Sequence, residues 1–211
     1  MNIKFFVLFA VAIPAYSQLN FSAFVGVNPQ ANFTAEDNSY NTVAYSWRSG
    51  IIYGLGSEIF ISPSIALSPS VEYAYYAFDE YDERKEIRFD ISSSISSTAD
   101  PVKVWRIFLE AKFFGNLTTA IPVYLTTGFG FLSENNGIIY RTMTYFSGNG
   151  PQIFSSTFKP KNSSFYVHTL GLGIRLRFLP YLSFDLNGQY LSNYNDRMYA
   201  SVKCGLVYTV F

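Results

Sequence analysis

The chain has 211 residues, and 15 Lys plus Arg balance 15 Asp plus Glu, so its formal net charge is zero. No basic excess exists to hold a nucleic-acid backbone. One Cys excludes an internal disulfide framework or a cysteine zinc cluster, and one His excludes a multi-histidine metal site.

Charged residues are 14%, against ~25% in an ordinary soluble domain, while aromatics reach 19%, with 21 Phe and 17 Tyr. Mean hydropathy is still too low for a bundle of membrane helices.

Residues 1–17 read as a secretory leader. Lys4 supplies the positive start, Phe5 to Ile13 is the apolar core, Pro14 breaks it, and Ala15-Tyr16-Ser17 forms a small-x-small cleavage site. That core is too short to cross a bilayer, which takes ~20 residues. No Cys lies near residue 18, so no lipid anchor is indicated. The expected organisation is a signal peptide over 1–17 and one β-domain over 18–211.

From there the chain alternates with period two, the strand signature. Strands are expected at 19–27, 49–61, 65–78, 102–113, 121–132, around 170–178, at 182–190 and at 198–210. In 49–61, Ile51, Tyr53, Leu55, Ile59 and Ile61 share one face, opposite Gly50, Gly54, Gly56 and Glu58. In 65–78, Ile65, Leu67, Val71, Tyr73 and Tyr75 oppose Ala66, Ser68, Ser70, Glu72 and Ala74. In 170–178, Leu170, Leu172, Ile174, Leu176 and Phe178 oppose Gly171, Gly173, Arg175 and Arg177.

A soluble sandwich also alternates, but two features favour a membrane barrel. Charged side chains occupy mid-strand positions on the polar face, while the apolar face is aliphatic with aromatics toward the strand ends. The connections also alternate in length. Short turns fall at Ser62-Pro63-Ser64, around Gly115-Asn116 and at Leu179-Pro180; long connections cover 28–44, 79–101 and 133–163, with 192–197 on the same side. In lipid a sheet must close, because an open edge leaves backbone N–H and C=O groups unpaired. The expectation is an all-β, eight-stranded, antiparallel, up-and-down transmembrane barrel with its N-terminus in the periplasm and four external loops. Ile138–Phe146 and Gln152–Phe158, flanking Ser147-Gly148-Asn149-Gly150-Pro151, read as a hairpin above the membrane. If that hairpin or Glu86–Ser97 entered the wall, the barrel would have ten strands.

The run Gly54 to Tyr76, GLGSEIFISPSIALSPSVEYAYY, and the ending Val207-Tyr208-Thr209-Val210-Phe211 resemble the small outer-membrane β-barrel family of Gram-negative bacteria, the OmpA-membrane-domain or OmpX type. The resemblance covers 18–211. It implies integral residence in the outer membrane, contact with its lipids and lipopolysaccharide, and insertion by the barrel-assembly machinery. In that machinery Tyr208 and Phe211 would be read as the assembly signal. Phe211 is one residue out of step with the apolar parity of Val202, Cys204, Leu206, Tyr208 and Val210. No second, peptidoglycan-binding domain is expected after the barrel.

Parity assigns a lumen charge network to Arg48, Glu58, Glu72, Arg106, Glu110, Lys112, Arg175, Arg177, Asp185 and Lys203, with cations in excess. An eight-stranded barrel is just wide enough for side chains to fill. A packed plug is therefore expected, with a narrow anion-favouring path as the alternative. Trp105, Phe113, Phe178, Tyr181, Tyr190 and Tyr199 are candidates for interfacial girdles.

Hydrolytic chemistry would need a His beside a nucleophile. The only candidate, His168, is followed by Thr169-Leu170 and has outward parity. No catalytic, metal or cofactor site is expected. Asp79, Glu80, Asp82 and Glu83 read as a solvated acidic loop. The expected function is that of a non-enzymatic barrel, structural or surface-binding, with loops 79–101 and 133–163 meeting any extracellular ligand. The alternative is a small-solute pore or transport-associated barrel.

Overall fold

Alternating strands with one apolar face have two ways to bury it, against a second sheet or against lipid, and here the sheet closes on itself. The computed structural model describes residues 18–28, 31–36, 42–47, 49–78, 93–115, 119, 121–147, 150–159, 162–193 and 198–210. The leader expected over 1–17, the acidic run 79–83, Arg48 and Phe211 lie outside the described residues.

Eight strands form the barrel: β1 (Leu19–Asn28), β4 (Gly50–Ser62), β5 (Ile65–Tyr76), β7 (Val102–Phe114), β8 (Val123–Asn135), β11 (Ser163–Leu179), β12 (Leu182–Ser192) and β13 (Met198–Val210). Around the wall the order is β1-β13-β12-β11-β8-β7-β5-β4, and β4 pairs back with β1. Every neighbouring pair is antiparallel. Closure through β1–β13, with Leu19 opposite Val210 and Val27 opposite Val202, removes the edges that lipid could not satisfy.

Five shorter strands stand outside the wall. β2 (Ala31–Glu36) and β3 (Thr42–Trp47) pair within the first long connection, which sequence reading treats as loop. β6 (Ser93–Ala99), β9 (Ile139–Ser147) and β10 (Gly150–Phe158) form a three-stranded sheet in the order β10-β9-β6. The β9–β10 hairpin therefore forms as expected, but it pairs with β6 and not with the barrel, which rules out the ten-stranded alternative. The long-connection stems are also joined, since the Asp100 N–H donates to the Ile138 carbonyl at 2.9 Å.

The outward face is apolar. Leu55, Phe129, Leu109, Leu172 and Trp105 are each more than half exposed, as a wall covered by lipid requires and a soluble core would forbid. Tyr53, Tyr73 and Trp105 form one outward aromatic chain, with ring centroids 5.2 and 5.0 Å apart, toward the long-connection end. Tyr181 and Tyr208, 6.0 Å apart, mark the short-turn end with exposed Phe113 and Phe178. Tyr190 is outward as well. Tyr199, a girdle candidate, is instead 8% exposed and points inward. It shares parity with Lys203, opposite to Val202 and Leu206, and that parity decides its side.

Candidate functional site: the filled lumen

Inward side chains stack in zones along the barrel. At the short-turn end, Phe60, Ala66, Phe114 and Tyr124 form an apolar seal. The Phe114 ring lies 5.5 Å from Phe60 and 5.1 Å from Tyr124. Gly173 on β11 leaves room for the Tyr124 ring, since a Cβ there would sit 2.1 Å from it.

Above this seal lies an ion cluster centred on Glu58, which is fully buried. Arg175 reaches both carboxylate oxygens of Glu58, with Nη1 at 2.8 Å from Oε2 and Nη2 at 2.6 Å from Oε1. Lys112 donates to Oε1 at 2.6 Å and Asn20 to Oε2 at 3.0 Å. Asp185 takes Arg175 Nε at 3.0 Å and the Tyr124 hydroxyl at 2.6 Å. Two anions and two cations are thus neutralised within one hydrogen-bonded unit, the condition under which buried charge is tolerated. The guanidinium of Arg175 also lies 5.1 Å from the Phe114 ring centroid, so the ion cluster packs directly on the seal.

A cavity of about 50 Å³ follows, lined in part by Ser22, Ser68, Ser70, Glu110, Asn187 and Lys203. Polar walls and that volume suit a few waters. Ligand pockets run to ~300–1,000 Å³, so this cavity is well below that size.

The next zone pairs Lys203 with Glu72 at 2.5 Å, and Arg106 lies 3.8 Å from the same carboxylate. Gln189 donates to Glu110. Arg106 Nη2 donates to the Tyr76 hydroxyl at 2.6 Å. Tyr76 in turn bonds Asn28, whose amide fits best with its oxygen toward Tyr76 and Arg106 and its nitrogen toward the Ala200 carbonyl. Glu134, 1% exposed, accepts from Tyr199 at 2.9 Å and from Ser163 at 2.6 Å.

The long-connection end is closed by a larger apolar cluster. Ile52, Val104, Phe108, Leu132, Val167 and Leu191 come from the wall, and Ile139 and Phe158 from the first and last residues of the outer hairpin. The outer sheet is therefore rooted in the barrel mouth. Arg141, two pairs further out, lies 4.9 Å from the Phe158 ring centroid.

Of the sequence-named lumen charges, Glu58, Glu72, Arg106, Glu110, Arg175 and Lys203 are buried, while Lys112 and Asp185 are nearly so. Arg177 shares their parity but is exposed. It sits beside the register shift between Arg177 and Leu179, beyond the lower seal, where its head reaches the rim. Arg48 lies outside the described residues. Sequence reasoning missed Glu134, although its signal was present. The β8 alternation that points Tyr124, Thr126 and Leu132 inward continues two residues to Glu134. Among the described residues the buried interior holds Arg106, Lys112, Arg175 and Lys203 against Glu58, Glu72, Glu110, Glu134 and Asp185. The expected cation excess is thus absent from the described interior.

His168 lies on the outer wall, exposed and edge-on to Phe129 at 5.0 Å. Its neighbour Thr169 is buried, so His168 has the outward parity expected of it.

Tyr199→Phe removes the hydroxyl that donates to Glu134, while Ser163 still donates to it. The expected cost is about 1–3 kcal/mol for a buried acceptor losing a partner. Urea unfolding of the barrel in detergent measures it; a change within error would mean that Glu134 is satisfied without Tyr199.

No family model and no curated protein matches the chain. Among solved structures, the outer membrane protein OprG of Pseudomonas aeruginosa aligns with a TM-score of 0.50 and 9% identity over 92% of this chain and 96% of that one. Ail, the attachment invasion locus protein of Yersinia pestis, aligns with a TM-score of 0.46 and 12% identity over 90% and 98%. The outer membrane protease OmpT of Escherichia coli aligns with a TM-score of 0.46 and 10% identity over 92% and 97%. At such identities the likeness is one of fold. With its closed eight-strand wall, outward apolar belt and filled polar interior, this chain has the fold of the small integral outer-membrane β-barrels.

Proposed function

We propose that the protein is a closed, non-enzymatic outer-membrane barrel that acts through the structures on its extracellular end. One observation carries this reading: the polar lumen is sealed twice. Phe60, Ala66, Phe114 and Tyr124 close the periplasmic end, and the cluster around Phe108, Ile139 and Phe158 closes the extracellular end. Between them the ion pairs leave a cavity of only about 50 Å³. A hydrated ion or small solute would have to break buried pairs and displace two apolar layers, and nothing in the interior replaces those contacts in transit.

On this reading the barrel is an anchor, with lipid and lipopolysaccharide around the wall. The assembly machinery would read the last strand, on which Tyr208 is outward and exposed. Recognition would fall to the long connections, to which β6, β9 and β10 belong.

Planar-bilayer recording of the refolded chain, residues 18–211, tests it. The expected result is silence from a barrel whose insertion is verified by its heat-dependent gel shift. Steady, reproducible conductance steps would overturn the closed-lumen reading in favour of a small-solute pore. Charge selectivity and substitutions at Arg175 would then become the next questions.

A further inference from the structure

We infer that Glu110 and the small cavity it borders hold one monovalent alkali cation inside the barrel. Glu110 is 6% exposed, and among the described residues it makes no ion pair. Its hydrogen bond comes from the Gln189 amide. The carboxylates around it stand differently. Glu58 takes Arg175 and Lys112, Asp185 takes Arg175, and Glu72 takes Lys203. A buried carboxylate is tolerated when a positive charge compensates it. Lys112 and Lys203 border the same cavity, but their ammonium groups are held by Glu58 at 2.6 Å and by Glu72 at 2.5 Å.

The groups gathered near the carboxylate are oxygen donors. Ser68 lies directly opposite Glu110 in the β5–β7 register. Ser70 follows on the same face of β5, and Ser22 stands across Gly56 from it. A Cβ at Gly56 would lie 2.9 Å from Ser22 Oγ, so any other residue there would crowd the hydroxyl. All three serines and Asn187 line the cavity. Two buried amide oxygens beside them accept no hydrogen bond. One is Gln189 Oε1, whose nitrogen serves Glu110, and the other is Asn20 Oδ1, on the same face of β1 as Ser22. Buried oxygens left in this way call for a water or an ion.

Carboxylate, hydroxyl and amide oxygens are the donor set of a hard cation. One uncompensated carboxylate matches one positive charge, whereas a divalent ion recruits several. A cavity of about 50 Å³ has room for an alkali ion with a few waters and none for a bulky organic cation. The site goes beyond the closed-barrel reading, because it makes the ion part of the folded interior and couples its binding to folding.

The test uses residues 18–211 refolded in non-ionic detergent, in sodium chloride or in N-methylglucamine chloride at the same total salt. Urea unfolding should show greater stability in sodium. Above the dissociation constant, each tenfold rise in free sodium should lower the unfolding equilibrium constant about tenfold, the signature of one ion per barrel. Glu110→Gln keeps the size of the side chain and should abolish the sodium dependence. Ser68→Ala keeps the carboxylate and should move the dependence to about tenfold higher sodium; it carries the test if Glu110→Gln does not refold. Equal stability of the parent chain in the two salts would overturn the site. So would a sodium dependence that survives Glu110→Gln, which would put the ion elsewhere. An infrared band of a protonated carboxyl, present in sodium and removed by Glu110→Gln, would make a proton the compensating charge and overturn the site as well. The closed-lumen reading fails separately, on conductance.

Discussion

Glu58→Ala is expected to destabilise the barrel by about 3–5 kcal/mol, the range for removing one partner from a buried ion cluster. The carboxylate is fully buried and takes four donor contacts, two from Arg175 and one each from Lys112 and Asn20. Among the described residues, its loss leaves Lys112 with no other ion pair and Arg175 with that to Asp185. Two cations would then share a low-dielectric site with one anion, and water would have to enter past Phe114 and Tyr124 to reach them. Glu58→Gln keeps the shape and the hydrogen-bonding oxygen but not the charge, so a smaller loss is expected.

Urea unfolding in detergent, followed by the gel shift, measures both variants. Arg175→Ala should also cost less in the Glu58→Ala background than in the parent chain, because the pair it breaks is already gone. If both Glu58 variants stay within about 0.5 kcal/mol of the parent, the ion cluster does not hold the lumen closed.

Phe108→Ala is expected to cost about 3–5 kcal/mol, the usual penalty for emptying a buried aromatic site. The ring is 1% exposed and fills the volume left by Gly130, where a Cβ would lie 2.3 Å from it. It stands between the Lys203 ammonium, 5.5 Å from its centroid, and the apolar cap rooted by Ile139 and Phe158. Truncation would open a void between the central ion pairs and the mouth. Neither the wall strands nor the outer hairpin can collapse into it without breaking backbone ladders. Phe108→Leu keeps most of the volume and is expected to cost less than half as much. Equal losses for the two variants would show that the cap does not depend on that packing. Bilayer recording of Phe108→Ala provides an independent check, with silence expected while the lower seal stays in place.

Much of this was legible in the chain itself. Period-two alternation marked the eight wall strands. The short turns at Ser62-Pro63-Ser64 and Leu179-Pro180, set against the long connections 79–101 and 133–163, gave the barrel its two unlike ends. Closure followed from lipid chemistry, because an apolar outer face with charged residues opposite it cannot leave a sheet edge unpaired. Inward parity also named Glu58, Glu72, Arg106 and Arg175 before any partner was known, since side-chain direction in a strand is a local property with a period of two.

Partner choice was not legible. Glu58 and Arg175 lie 117 residues apart, and only the closed register and the width of the lumen bring them to bidentate contact. Arg177 has the same parity as Arg175 yet is exposed, because height along the barrel, set by strand stagger and the nearby register shift, decides whether an inward residue reaches the ion cluster or the rim. Tyr199 and Glu134 likewise found each other across the lumen, 65 positions apart. The outer sheet needed the tertiary structure most. β6 and β9 belong to different connections, and their pairing depends on where the wall places the ends of β7 and β8. The chain alone thus determined which faces meet lipid and which meet the lumen, because those are local alternations. Which charges neutralise each other and how β6 and β9 come to pair were decided by closure, because each depends on distances that exist only once β1 meets β13.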